Sequence, residues 1–301
     1  MIQVLVAPTF ELVETIGYTP DITIEAEYGS VVVIGTKYTA AHHQPKGPFS
    51  PAVQPAPCNN PNIPRLDVGT ILLSHTDLDS VGGALRALGH PIMFSEKYAR
   101  FWAFAEFVDL HGPHRIAEFK ATESDREAIY AWWAWLKTRP YWRKDQLTSI
   151  TDFIVTCGEI LTRILTRTDC EMLMADGETM RSRERLLDMN TYVATISGVI
   201  LRKAATKEDH CNHLYRNGIG CVTFNEELRT VTVSIAQPIE GISCRYLVKT
   251  HKWSADPDVA VGLSVLAGGH DVIAGGPRGH EATMADAEEL ADKLSKLISL
   301  H

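Results

Sequence analysis

The segment Ile71-Leu72-Leu73-Ser74-His75-Thr76-Asp77-Leu78-Asp79-Ser80-Val81-Gly82-Gly83 constrains this chain more than any other. Its apolar run is too short for a helix and is bounded at once by polar residues, so it predicts a buried strand. The stretch 81–88 behind it has helical composition and closes at Gly89. A strand that feeds a helix through a polar loop is the repeating unit of an α/β sheet. Further β-branched runs at 2–6, 22–24 and 31–34 predict more buried strands. The expectation is an N-terminal α/β domain over 1–120 with a mixed or parallel sheet.

At 301 residues the chain exceeds the usual size of one core, so a second domain is expected. Helices are predicted over 122–137, 150–167 and 181–192, which makes 121–206 a helical connector. In the second of these, Phe153, Ile154, Cys157, Ile160, Leu161 and Leu165 recur at helical spacing and define a core face. Trp132, Trp133 and Trp135 near the end of the first predict an aromatic scaffold rather than a stacking platform. Alternating runs at 220–224 and 231–236 predict a hairpin, and Thr283 with Asp286 marks the start of a terminal helix. These features place a smaller α+β domain over 207–301.

Composition narrows the function. A hydrophobic fraction of 45% with 22% charged residues is that of an ordinary globular protein. A net charge of −8 argues against a surface built for long nucleic acid, while leaving room for a pocket that takes one small anion. The N-terminus lacks the basic and apolar regions of a secretory signal, and no apolar stretch reaches the ~18 residues needed to span a bilayer. A cytoplasmic protein is expected, with no membrane partner and with a homodimer allowed. The six cysteines are scattered without a paired spacing, which predicts reduced, buried thiols.

Ligands of open α/β sheets bind at the carboxyl ends of the strands, where this sequence puts His75, Asp77 and Asp79. Carboxylates suit hard divalent cations and imidazole supplements them. A helix cap would account for one of the two aspartates but not for His-x-Asp-x-Asp together. Gly82-Gly83 would then let backbone approach closely. A second cluster, His42-His43, follows the run 31–34 and opens a long proline-rich loop to Arg65, and a third holds Asp109, His111 and His114. The expected metal ligands are His42, His43, His75, Asp77, Asp79 and Asp109, with His43, His75 and Asp79 also in catalytic roles. Mn²⁺ is the first choice of ion, with Zn²⁺, Fe²⁺ or Mg²⁺ as alternatives.

Around His75-Thr76-Asp77-Leu78-Asp79-Ser80-Val81-Gly82 the chain resembles the first metal motif of the DHH phosphoesterases, whose Asp-x-Asp-Ser/Gly stretch also opens a helix. The segment Ala267-Gly268-Gly269-His270-Asp271-Val272-Ile273-Ala274-Gly275 resembles the Gly-Gly-His and Ala-Gly motif of their associated substrate-binding domain. The family's Asp-His-His follows the Asp-x-Asp motif, whereas the nearest match here, Ala41-His42-His43, precedes it and lacks the aspartate. A rearranged strand order would reconcile the two. The resemblance implies a metal-dependent hydrolase of a phosphoester or phosphoanhydride in a small, anionic, nucleotide-like substrate. It further implies that Gly268, Gly269, His270 and Arg278 bind that substrate in a cleft between the domains. A weaker resemblance is to the metallo-β-lactamase fold, for which His75, Asp79 and Gly82-Gly83 fit but Asp77 and Ser80 stand where histidines belong. Hydrolysis of a non-phosphate bond by that or amidohydrolase chemistry is the nearest alternative, and a catalytically silent ligand-binding protein is another.

Overall fold

Five short runs pair into one sheet, whose inner strands bury their β-branched and apolar side chains on both faces. They are β1 (Ile2–Val6), β2 (Ile22–Ile24), β5 (Tyr38–Ala40), β6 (Gly69–Leu73) and β7 (Thr148–Ser149), in the order β5-β2-β6-β1-β7. All neighbours are parallel except β7, an antiparallel edge strand on β1. The computed structural model describes the chain except for residues 1, 29–30, 42–54, 112–115, 117–118, 140–145, 191–193, 197, 205–219, 236–238, 270, 278 and 301, and except for the side chains of 111, 184–190 and 194–196.

The run 31–34 departs from its expected place. Its first two residues form β4 (Val31–Val32), which pairs only with β3 (Glu27–Tyr28) in a separate hairpin, and Val31 and Ile34 are exposed. The strand that joins the main sheet ahead of residue 42 is β5. Its Tyr38 and Thr39 are strand-favouring residues, and the run joins the sheet through Ile22↔Tyr38 and Ile24↔Ala40 pairing.

Helices complete this part: α1 (Phe10–Glu14), α2 (Leu78–Ala87), α3 (Ala99–His111), α4 (Glu123–Lys137) and α5 (Thr151–Thr166). α2 starts three residues ahead of its expected position because Asp77 caps it, its Oδ1 accepting from Ser80 N at 2.8 Å. Trp132 and Trp135 are buried, and Trp135 stacks on Phe153 of α5 with centroids 6.0 Å apart, so these aromatics are core. The last connector helix, α6 (Glu171–Asn190), is longer than its predicted span.

The chain divides into two compact units, one formed by Met1–Leu110 with Phe119–Met180 and the other by His111–Glu118 with Arg181–His301. The second unit has a six-stranded sheet made from β8 (Ala194–Ile196), β9 (Val199–Ala204), β10 (Gly220–Asn225), β11 (Thr230–Ile235), β12 (Gly268–Gly269) and β13 (Ile273–Gly275). Its order is β12-β13-β11-β10-β9-β8, with the expected hairpin as β10 and β11 and with β9 parallel to β10. One face packs against α7 (Cys244–Thr250) and α9 (Met284–Ser299) through Val199, Leu201, Val222, Phe224, Val231, Val233, Leu247 and Leu290; α8 (Pro257–Leu266) completes the unit. Thr283 and Asp286 form the expected capping box of α9. The architecture is α/β with mixed sheets and helices, and no described helix is long and apolar enough to cross a membrane.

Candidate metal centre

The parallel register of the first sheet determines which side chains meet. Ile24 of β2 pairs with Leu73 of β6, so Glu25 and Ser74 leave the sheet side by side at its carboxyl edge. Glu25 is held at φ 49, a left-handed conformation unfavourable for a residue with a side chain, and such strain often accompanies a site. Its amide donates to Ala40 O at 2.8 Å, and the Ser74 hydroxyl donates to its carbonyl. The Glu25 side chain is fully buried.

His75 and Asp77 approach that carboxylate from the loop after β6. His75 Nε2 lies 3.1 Å from Glu25 Oε2 and 3.1 Å from Asp77 Oδ2, while Nδ1 faces Ser74 Oγ at 2.7 Å. Burial works against a charged imidazole, yet Asp77 and Glu25 outweigh it and lift the His75 pKa to about 10. The same contact with His75 overcomes burial at Asp77 and lowers its pKa. Ser80 Oγ sits 2.7 Å from Asp77 Oδ1 and 2.9 Å from Glu25 Oε2, within reach of both carboxylates, and its one proton can donate to either of them at a time. Asp77 is therefore a helix cap through one oxygen and a partner of His75 through the other.

Asp79 points the other way from the first turn of α2. It is 2% exposed, and its Oδ1 accepts from Cys58 N at 2.8 Å. Cys58 belongs to a 3-10 turn, Pro57–Asn59, that rests directly on α2 because Gly82 and Gly83 carry no side chain. A Cβ on Gly82 would lie 2.5 Å from Cys58 Cβ, and one on Gly83 would lie 2.8 Å from Pro57 Cβ. The close approach that the glycines allow is thus made by the chain's own proline-rich loop. Burial and the adjacent Asp79 and Asp109 push the Cys58 thiol well above its usual range.

Among the described residues two groups of side chains could hold an ion: Glu25, His75 and Asp77, and Glu25, Asp79 and Asp109, each with ligand atoms within 4.8 Å of one another. Asp109 comes from the last turn of α3. Glu25 is common to both groups. Together they comprise four carboxylates and one imidazole, a donor set suited to a hard or borderline divalent cation. Like charges this close disfavour one another, and a cation relieves that repulsion.

Of the expected ligands, His75, Asp77, Asp79 and Asp109 converge with Glu25, whereas His42 and His43 lie outside the described residues. Sequence reasoning did not select Glu25. A carboxylate closing the apolar run Ile22-Thr23-Ile24 was the available signal, of the kind that singled out His75 after Leu73. In the second unit Gly268 and Gly269 form β12, while His270 and Arg278 also lie outside the described residues. Gly269, at φ 139, is required by the backbone, since a Cβ there would come 2.6 Å from Ala274 Cα.

Fold and site together define an α/β protein whose first unit gathers one histidine and four acidic side chains at a sheet edge. No family model and no curated protein matches the chain. Among solved structures it is similar to a pGpG-specific phosphodiesterase, PggH from Vibrio cholerae, with a TM-score of 0.41 and 8% identity, over 79% of this chain and 81% of that one. A likeness of that extent assigns neither family nor activity.

Proposed function

We propose that this chain is a metal-dependent hydrolase of phosphoester or phosphoanhydride bonds in a small, nucleotide-like substrate, a distant relative of the DHH phosphoesterases. The observation that carries the metal reading is the buried Glu25 carboxylate, shared by two groups of ligand atoms at the carboxyl edge of the sheet. The phosphoester reading rests on the resemblance around His75, Asp77 and Asp79. When bound there, a divalent ion supplies an acidified water as nucleophile and stabilises charge on a phosphoryl oxygen.

The protein's part is to fix the ligands before substrate arrives. Ser80 holds Glu25 and Asp77 in mutual register, Ser74 orients the His75 ring, and the Cys58 amide fixes one oxygen of Asp79. His75 Nε2 lies 3.1 Å from the carboxylates of Glu25 and Asp77, and a proton held there would have to leave before this nitrogen bound an ion. His42 and His43, an adjacent metal-capable pair, are assigned to the metal or the substrate, Gly268, Gly269 and His270 to binding an anionic substrate by the resemblance, and Arg278 to the same role as a nearby cation. Mn²⁺ is the preferred ion of the reading, with Fe²⁺, Zn²⁺ and Mg²⁺ as alternatives.

The test is a screen of phosphodiesters, phosphomonoesters, anhydrides and amides against the purified protein with Mn²⁺, Mg²⁺, Zn²⁺ or Fe²⁺ added, and with chelator. Metal-dependent cleavage of a phosphorus–oxygen bond is expected. Cleavage of amides alone would transfer the site to the rival hydrolase reading, and a metal-free protein indifferent to added ions would leave a binding protein.

A further inference from the structure

The second unit contains a buried cation that neither the metal centre nor the Gly-Gly-His segment uses. Arg202 lies in β9 and is 1% exposed. Its neighbours Val199 and Leu201 face the helices α7 and α9, and strand alternation puts Arg202 on the opposite face of the sheet. Among the described residues, neither Nε nor Nη2 of its guanidinium has a hydrogen-bond partner. These two nitrogens form one edge of the fork, the edge that grips two oxygens of an oxyanion. Burying such a charge without an anion costs several kcal/mol, so an arrangement of this kind is stable when an anion completes it.

The neighbouring strands supply the rest of a site. Arg202 pairs in register with Thr223 of β10, Thr223 with Thr232 of β11, Thr232 with Gly275 of β13, and Gly275 with Gly268 of β12. A single row thus runs from a guanidinium past two hydroxyls to two glycines. Among the described residues the row is open at its far end, since a Cβ on Gly268 would meet none of them within 4 Å and one on Gly275 would meet only Val231 O at 3.8 Å. A carboxylate has two oxygens, both consumed by the arginine fork. A phosphoryl group keeps further oxygens for the threonine hydroxyls. We propose that Arg202, Thr223 and Thr232 form a phosphate-binding site on the sheet face opposite α9. The site does not depend on the hydrolase reading.

The test is calorimetric titration of the full-length protein with inorganic phosphate in the presence of chelator, which keeps the metal centre out of the measurement. Saturable binding is expected, weakened at least about tenfold in Arg202→Lys, which keeps the charge but loses the fork. Thr223→Val removes a hydroxyl at nearly constant volume and should weaken binding severalfold. It carries the test if Arg202→Lys fails to fold. A nucleoside monophosphate that binds more tightly than phosphate, and is equally sensitive to Arg202→Lys, would assign the phosphoryl group to a nucleotide; equal affinity would assign it to free phosphate. Three results would overturn the proposal: no saturable binding by the native protein, binding unaffected in the folded variants, or acetate bound as tightly as phosphate.

Discussion

Among single residues, Glu25 is shared by both acidic groups, whereas His75, Asp77, Asp79 and Asp109 each belong to one. Glu25→Gln removes a charge common to both groups, so it should lower metal content more than Asp77→Asn or Asp109→Asn, which each touch one. Asp77→Asn is informative because Asn caps almost as well as Asp. The cap should survive, so any fall in melting temperature reflects only the lost His75–Asp77 pair, while metal content falls as well. Equal metal content in Asp77→Asn and native protein would return Asp77 to a capping role only. His75, Asp77 and Asp79 were legible in the sequence because an apolar run ended abruptly in three metal-capable residues. Glu25 was not, because it becomes a neighbour of His75 only through the pairing of Ile24 with Leu73, which joins segments far apart in the chain.

At the level of elements, the contact between α2 and the turn Pro57–Asn59 couples packing to the site. In an exposed helix Gly→Ala stabilises by about 1 kcal/mol, but at Gly82 the new methyl would overlap Cys58 Cβ and Cα, and overpacking of this kind costs about 1–3 kcal/mol. Gly82→Ala should therefore lower stability in urea titration and also lower metal content, since the displaced Cys58 amide is the donor to Asp79. Unchanged stability would mean that the turn yields freely. In the second unit, His251 Nε2 lies 3.0 Å from Asp286 Oδ1 at the N-terminus of α9. Burial pulls the Asp286 carboxyl up, but the bonds from His251 and Thr283 outweigh it and hold its pKa below the ordinary 3.8. A depressed carboxyl pKa contributes stability that is complete above the ordinary value and is lost as pH falls through the lower folded one. Asp286→Asn should cost about 1–2 kcal/mol at neutral pH and progressively less in acid, read by denaturant unfolding across pH. A constant difference down to the lowest pH would contradict the lowered Asp286 pKa. Both capping and hairpin signals were readable locally, whereas β5, only three residues long, stands out as a strand only through its pairing with β2.

For the whole molecule, the five side chains of the candidate centre all fall within the first unit, Met1–Leu110 with Phe119–Met180. A fragment spanning 1–180 should consequently bind metal with the stoichiometry of the intact chain, and failure to do so while folded would place an essential ligand in the other unit. The α/β class was evident from alternating short strands and helical stretches, because local periodicity determines elements. Which side chains meet depended on parallel pairings that no local pattern encodes. The most direct test of the metal centre is elemental analysis of native protein and Glu25→Gln after both are saturated with Mn²⁺ and freed of excess ion. Stoichiometric metal in the native protein and its near-complete loss in a folded Glu25→Gln variant is the predicted result; a native protein without metal, or a Glu25→Gln variant that retains all of it, would contradict the account.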